Sequence, residues 1–239
     1  KDVIVSKEYN WFADQTCGIV RKKALELFTQ AAEQGNDNAA VNLAFIYLTG
    51  GTKDETRNTK AVEFFTKAAE QGNNIAKFML GYAYYKGFVV ETDFLRAYKL
   101  VKAAASEGSL IDEAQMIQGE MLIEGVGTVQ NYQKGVALIR AAVKQGNLDA
   151  IMAAGRIYTL GKYVPKNFLM AHALYNVAAA QNVSNAAEFR DEIAAKLKLE
   201  QLAQAQTTAQ QFKPEPSELT LYIRQTYGRN IRSYIDNNR

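Results

Sequence analysis

One cysteine, Cys17, stands in a chain of 239 residues. That scarcity excludes an intramolecular disulfide and a cysteine-based metal site. Histidine is equally rare: His172 is alone, and one imidazole does not make a zinc site of the usual kind. Only three prolines occur, Pro165, Pro214 and Pro216, so long helices can run unbroken until near the end. No run approaches the roughly 18 to 20 apolar residues that cross a bilayer, and the start lacks the basic-then-apolar layout of a signal peptide. The formal charge of +3 is modest and spread along the chain rather than gathered in a block, which makes a weak nucleic-acid footprint. P-loop, dinucleotide fingerprint and Gly-flanked nucleophilic serine are absent as well.

With 48% hydrophobic and 22% charged residues, the chain has the composition of a globular protein able to bury a core, in one large domain or two small ones. The first residue is not Met, which leads to the expectation of a processed or truncated chain whose leader has been removed.

What the sequence has in abundance is a ruler. The stretch AAEQGN at Ala31 to Asn36 returns at Ala68 to Asn73, with relatives AASEGS from Ala104, AVKQGN from Ala142 and AAAQNV from Ala178. Their fifth residues, Gly35, Gly72, Gly108, Gly146 and Asn182, recur at a near-constant period of the kind that marks a solenoid of helical pairs. An amphipathic helix precedes each marker: Ala61, Phe64, Phe65, Ala68 and Ala69 share one stripe at steps of three and four. The marker Gly, or Asn182, is then the left-handed residue that ends this helix. Asn36 or Asp37, and Asn73 or Asn74, cap the next.

That next helix repeats a second pattern. Ala39, Leu43, Ala44, Tyr47 and Gly50 return as Ala76, Leu80, Gly81, Tyr84 and Gly87, and as Ala150, Ala154, Gly155, Tyr158 and Gly161. The copy at Ala114, Gln118, Gly119, Leu122 and Gly125 is looser and is preceded by two extra residues. Gly81, Gly119 and Gly155 sit in mid-helix, each at a cost of ~1 kcal/mol relative to Ala, which predicts close approach of a neighbouring helix backbone.

The A-x-x-x-L-G-x-x-Y-x-x-G helix, the loop after it and the A-x-x-φ-φ-x-x-A-A-x-x-G helix together resemble the Sel-one-like repeat, a relative of the tetratricopeptide repeat. Gly125 to Gly127 is similar to that family's loop entry. The resemblance spans roughly residues 20 to 212 on four good copies, and the stretch from Ala178 to Gln206 resembles the capping segment of bacterial members. It implies an all-α right-handed solenoid. Family members serve as adaptors and scaffolds, often exported, in surface-polymer, flagellar and secretion machinery. A cysteine-rich branch binds β-lactams, but its paired cysteines are absent here and that activity is not expected. The organisation expected is a degenerate segment over 1–18, where Trp11 and Phe12 stand in place of the repeat pattern, a solenoid with its cap over 19–212, and a linker and tail over 213–239.

The phase of the first helix in each pair gives the face opposite its buried slots. It carries Val41, Phe45 and Leu48; Phe78, Tyr82 and Tyr85; Met116, Glu120 and Ile123; and Met152, Arg156 and Leu160. In a tetratricopeptide-like stack this side lines the concave groove. Its aromatic and aliphatic content predicts a site for a helix or extended peptide of a protein partner, although neighbouring repeats can also bury such positions. Beyond Phe212 a linker with two prolines, KPEPSE, leads to a different segment. There Ser217 caps a short helix with Leu219, Tyr222, Ile223 and Thr226 at helical spacing, and Tyr227, Ile231 and Tyr234 follow as further docking candidates. A tail this short caps the solenoid, docks on a partner or fills the groove, or stays partly disordered.

A Cys17 and His172 dyad would join residues far apart along a solenoid, and Glu63 and Glu70 fit an exposed helix face. The expectation is a non-catalytic protein-binding scaffold of a bacterial cell-envelope assembly, periplasmic or otherwise cytoplasmic, with no cofactor, no metal, no nucleic acid and no membrane span. The alternative is an accessory protein that binds peptidoglycan or exopolysaccharide, with Tyr82 and Tyr85 as stacking platforms.

Overall fold

The computed structural model describes residues 18–48, 55–106 and 111–236, and every regular element within them is a helix. In chain order these are α1 (Gly18–Glu33), α2 (Asp37–Leu48), α3 (Glu55–Glu70), α4 (Asn74–Lys86), α5 (Phe94–Ala104), α6 (Asp112–Glu124) and α7 (Tyr132–Lys144). They continue with α8 (Leu148–Leu160), α9 (Phe168–Ala180), α10 (Ala186–Ala194), α11 (Leu199–Gln211), α12 (Glu218–Thr226) and α13 (Gly228–Asp236). Cys17, Trp11, Phe12, Gly50 and Gly108 lie outside the described residues.

The repeated marker works as a two-sided punctuation sign. Gly35, Gly72 and Gly146 take φ of +89°, +101° and +81°, and Asn182 takes +57°. In that left-handed turn the amide of the sixth marker residue donates to the carbonyl of the first: Asn36 to Ala31, Asn73 to Ala68 and Asn147 to Ala142, each at 3.0 Å. These bonds close the orphan carbonyls of the outgoing helix. The same asparagines then open the next one, their side-chain oxygens accepting from Ala39 at 2.8 Å, Ala76 at 3.0 Å and Ala150 at 2.8 Å. Asn36 and Asn73, rather than Asp37 and Asn74, are therefore the caps.

The described residues belong to two compact units, one holding residues up to 109 together with 221 onward, the other residues 110–220. The division near 110 falls inside the single solenoid expected over 19–212, at the two extra residues ahead of Ala114. In the first unit α1 packs on α2, α2 on α3, α3 on α4 and α4 on α5. Its buried side chains include Phe28, Leu43, Phe65, Met79, Leu80 and Val101. In the second unit α6 packs on α7, α7 on α8, α8 on α9, and α9 on both α10 and α11. Ile139, Ile151, Ile157 and Leu174 lie at the centre of its core. Full burial of each such side chain stabilises by roughly 1.5–3 kcal/mol.

The mid-helix glycines mark the tight crossings. A Cβ on Gly119 would stand 2.8 Å from the Gly135 carbonyl oxygen, and one on Gly135 would stand 2.6 Å from the Gly119 carbonyl oxygen. The backbones of α6 and α7 thus meet where both lack a side chain. Gly155 differs, because the tight neighbour there is the ring of Tyr175 rather than a backbone.

Candidate partner-binding site

Helix α2 carries the first group of candidate residues. Val41 is fully buried and Phe45 is 2% exposed, while Leu48 is half-buried. Phe45 meets Phe65 edge-on at 5.4 Å between ring centroids and stacks on Tyr227 of the tail at 5.7 Å and 29°. On α4, Phe78 and Tyr82 are buried and lie 6.2 Å apart, and Tyr85 is half-buried against the edge of Phe94. Lys86 places its ammonium 5.9 Å from the Tyr82 ring and 5.1 Å from the Tyr85 ring. The exposed aromatic face read from the sequence is thus largely covered in the first unit.

The second unit presents its candidates differently. Ile123 is buried, and Met116 and Met152 pack partly buried against the core. Glu120 is half-buried, and the exposed Arg156 faces it at 3.9 Å, a separation worth about 0–1 kcal/mol in solvent. Leu160 is 60% exposed, so this end of α8 offers apolar surface.

The tail supplies part of the cover in the first unit, over Phe45. Ser217 caps α12 as expected, its hydroxyl oxygen accepting from the Thr220 amide at 3.0 Å. Ile223, Tyr227 and Ile231, spaced four residues apart, are 1%, 1% and 3% exposed, so one stripe through α12 and α13 is buried. Leu219 is half-buried and Tyr222 remains exposed, its ring edge-on to Tyr227 at 6.3 Å. The side chain of Tyr234 lies outside the described residues. Of the expected fates of the tail, the structure shows helices docked on the protein's own α2.

Burial first, then the neighbouring Tyr222, raises the Tyr227 hydroxyl pKa above the ordinary tyrosine range. The hydroxyl oxygen is buried without a hydrogen bond of good geometry, although the side chains of Tyr222 and Asn42 lie close enough to act on it. The tail therefore sits on α2 with one polar group poorly satisfied.

The linker has its own seat in the second unit, on a residue that the sequence did not single out. Gln145 donates to the Gln115 side-chain oxygen at 2.8 Å and accepts from the Thr220 hydroxyl at 2.7 Å and the Ser217 amide at 3.3 Å. The Glu215 amide donates to the Lys144 carbonyl at 2.8 Å. Gln34, Gln71 and Gln181 occupy the same marker slot and are exposed, whereas Gln145 is buried. The only hint in the sequence was the bare presence of an amide there.

A cleft of about 390 Å³ opens elsewhere in the first unit, lined on α3 by Val62, Glu63 and Lys67 and beyond α4 by Val89 and Val90. Val89 holds φ +68° two residues after the terminating Gly87, the place where Gly127 follows Gly125 with the same φ. A β-branched residue is strained in this region. Lys67 donates to the Ala32 carbonyl at 3.1 Å. In the second unit His172 is buried on α9, and burial, followed by the charge of Arg190, lowers its pKa. Among the described residues no group of three or more His, Cys, Asp or Glu side chains is arranged to hold a metal, and no helix is long and apolar enough to cross a membrane.

Paired helices with left-handed glycine stops and asparagine starts define a helical-repeat protein. The Sel1 repeat signature matches residues 19–36, 37–73, 74–109, 112–147 and 148–183, and the chain belongs to the Sel1 repeat family. The structure is similar to that of c5321, a protective antigen present in uropathogenic Escherichia coli strains with an SLR fold, at TM-score 0.72 and 28% identity over 84% of this chain. This chain spans 43% of that antigen's length. A Sel1 repeat protein from Oxalobacter formigenes is similar at TM-score 0.61 and 24% identity, over 81% of this chain and 80% of that one, which shows the shared fold. Comparison with curated proteins gives no match. Sel1 repeat proteins generally mediate protein–protein interactions and are generally of non-catalytic scaffold type.

Proposed function

We propose that this protein is a non-catalytic scaffold of a bacterial cell-envelope assembly, and that it binds a helix of a protein partner on the first helices of its repeat pairs. The observation that carries this reading is the stack of Tyr227 on Phe45, with Ile223 and Ile231 buried alongside in sequence. It supports the reading that the α2 face takes a short amphipathic helix. The exposed Leu160 on α8 adds apolar surface in the other unit. Support for an envelope setting comes from the similarity to a protective antigen present in uropathogenic Escherichia coli strains.

A photo-crosslinking residue at Leu48 or Leu160 of the full chain tests the proposal in envelope extract. The exposed Lys102 on α5 is the control position. A protein crosslinked from Leu48 or Leu160 and not from Lys102 supports the site. Equal yields from all three positions, or none from the first two, rule it out.

A further inference from the structure

We infer that the α2 face is built for a partner helix carrying an aliphatic residue, an aromatic four residues on and a second aliphatic four residues after that, and that residues 218–236 occupy the same seat as an internal competitor. The inference deepens the protein-binding reading and rests on it.

Three observations converge on the seat. Phe45 and Val41, on the face that the repeat pattern leaves for a ligand, are almost wholly buried, and the ring stacked on Phe45 comes from the tail, beside the edge-on Phe65 of α3. The tail is a detachable kind of element. It follows a linker with two prolines, and α12 and α13 span only Glu218–Thr226 and Gly228–Asp236, lengths that do not persist as isolated helices in water. Its hold is also imperfect, because the Tyr227 hydroxyl is buried without a hydrogen bond of good geometry. A partner helix with phenylalanine at that position makes the same ring contact without burying a hydroxyl, and so displaces the tail. Burial of the stripe Ile223, Tyr227 and Ile231 at four-residue steps gives the partner its pattern.

Tethering gives the tail an effective concentration on the order of millimolar, so an external helix binds the closed protein more weakly than the opened one. The probe is a fluorescein-labelled synthetic peptide of residues 217–236, titrated by anisotropy against the full chain. Tyr227→Lys in the chain releases its own tail, and Leu221→Lys, at a position 43% exposed, is the control. The peptide is expected to bind the Tyr227→Lys chain at least 10-fold more tightly than the unaltered chain, with Leu221→Lys unchanged. Adding Phe45→Ala to Tyr227→Lys removes that gain. Equal affinity for the unaltered and Tyr227→Lys chains overturns the inference, as does a gain that survives Phe45→Ala.

If Tyr227→Lys loses helical content, hydrogen exchange on the unaltered chain decides. Excess unlabelled peptide should strip protection from the chain's amides at 223–231 while those of α8 keep theirs. Tail amides that hold their protection against the peptide overturn the inference. Crosslinking from Leu48 reports partner binding separately, so an internal competitor that fails this test leaves the scaffold reading standing.

Discussion

Asn147 donates its side-chain amide to the Asp112 carboxylate at 3.1 Å while its side-chain oxygen accepts the Ala150 amide at 2.8 Å, so one residue starts α8 and ties it to the start of α6. Asn73 does the same one unit earlier, donating to Asp37 at 3.1 Å while capping α4. Asn147→Ala removes the cap, worth about 0.5–2 kcal/mol. It also removes a hydrogen bond to a buried carboxylate, worth about 1.5–3 kcal/mol. A loss of about 2–5 kcal/mol is expected in denaturant unfolding of the full chain. Asn147→Asp keeps a capping oxygen but sets a second carboxylate against Asp112, and should restore only part of the loss, and only at low pH.

The α6–α7 crossing predicts the outcome of adding one methyl group. Gly119→Ala improves intrinsic helix propensity by ~1 kcal/mol. Its Cβ would nonetheless meet the Gly135 carbonyl oxygen at 2.8 Å, and overpacking of this kind costs about 1–3 kcal/mol. The expected result is a lower unfolding midpoint with reduced helical signal at intermediate temperature, measured by circular dichroism.

Val89→Gly should act in the opposite direction. Left-handed strain at a β-branched residue costs roughly 1–3 kcal/mol, and the flexibility of glycine in the unfolded chain returns part of that. A net gain of about 0.5–2 kcal/mol in denaturant unfolding is expected; Val89→Ala should gain less.

His172 sets an acid limit on the second unit. Its pKa is lowered from 6.5 by burial and then by Arg190, while Asp191 opposes the shift. Below pH 6.5 the unfolded chain therefore binds more protons than the folded one. Stability is fully present above about pH 6.5 and is lost as pH falls through the lowered folded value. Urea midpoints should fall between pH 7.5 and 5, and His172→Gln should flatten that slope.

The period, helix types, stops and starts were legible because each is decided within a few residues. Asn36 both closes α1 with its backbone and opens α2 with its side chain, and the letters QGN declare both acts. The glycine crossings were half legible: backbone approach holds at Gly119, but Gly155 makes room for the Tyr175 ring, and nothing local to α8 announces that ring. The exposure of the candidate face was not legible. Helical phase puts Phe45 and Tyr82 opposite the repeat's own buried slots, but it does not say that Tyr227, roughly 180 residues beyond Phe45, returns to cover it. Contacts at that separation leave no short-range pattern, because helical periodicity reports only neighbours within a few residues. Gln145 illustrates the same limit, since its letter matches Gln34, Gln71 and Gln181 and its burial comes from a segment far along the chain.

The stack of Tyr227 on Phe45 also has a consequence for biosynthesis. A ribosome adds about 5–20 residues per second, so the nascent α2 waits on the order of ten seconds or more before Tyr227 has even been made. During that interval the first repeats can form from local contacts alone, with the Phe45 ring lacking its final neighbour. A chaperone or a waiting partner can therefore reach that ring before the protein's own tail does.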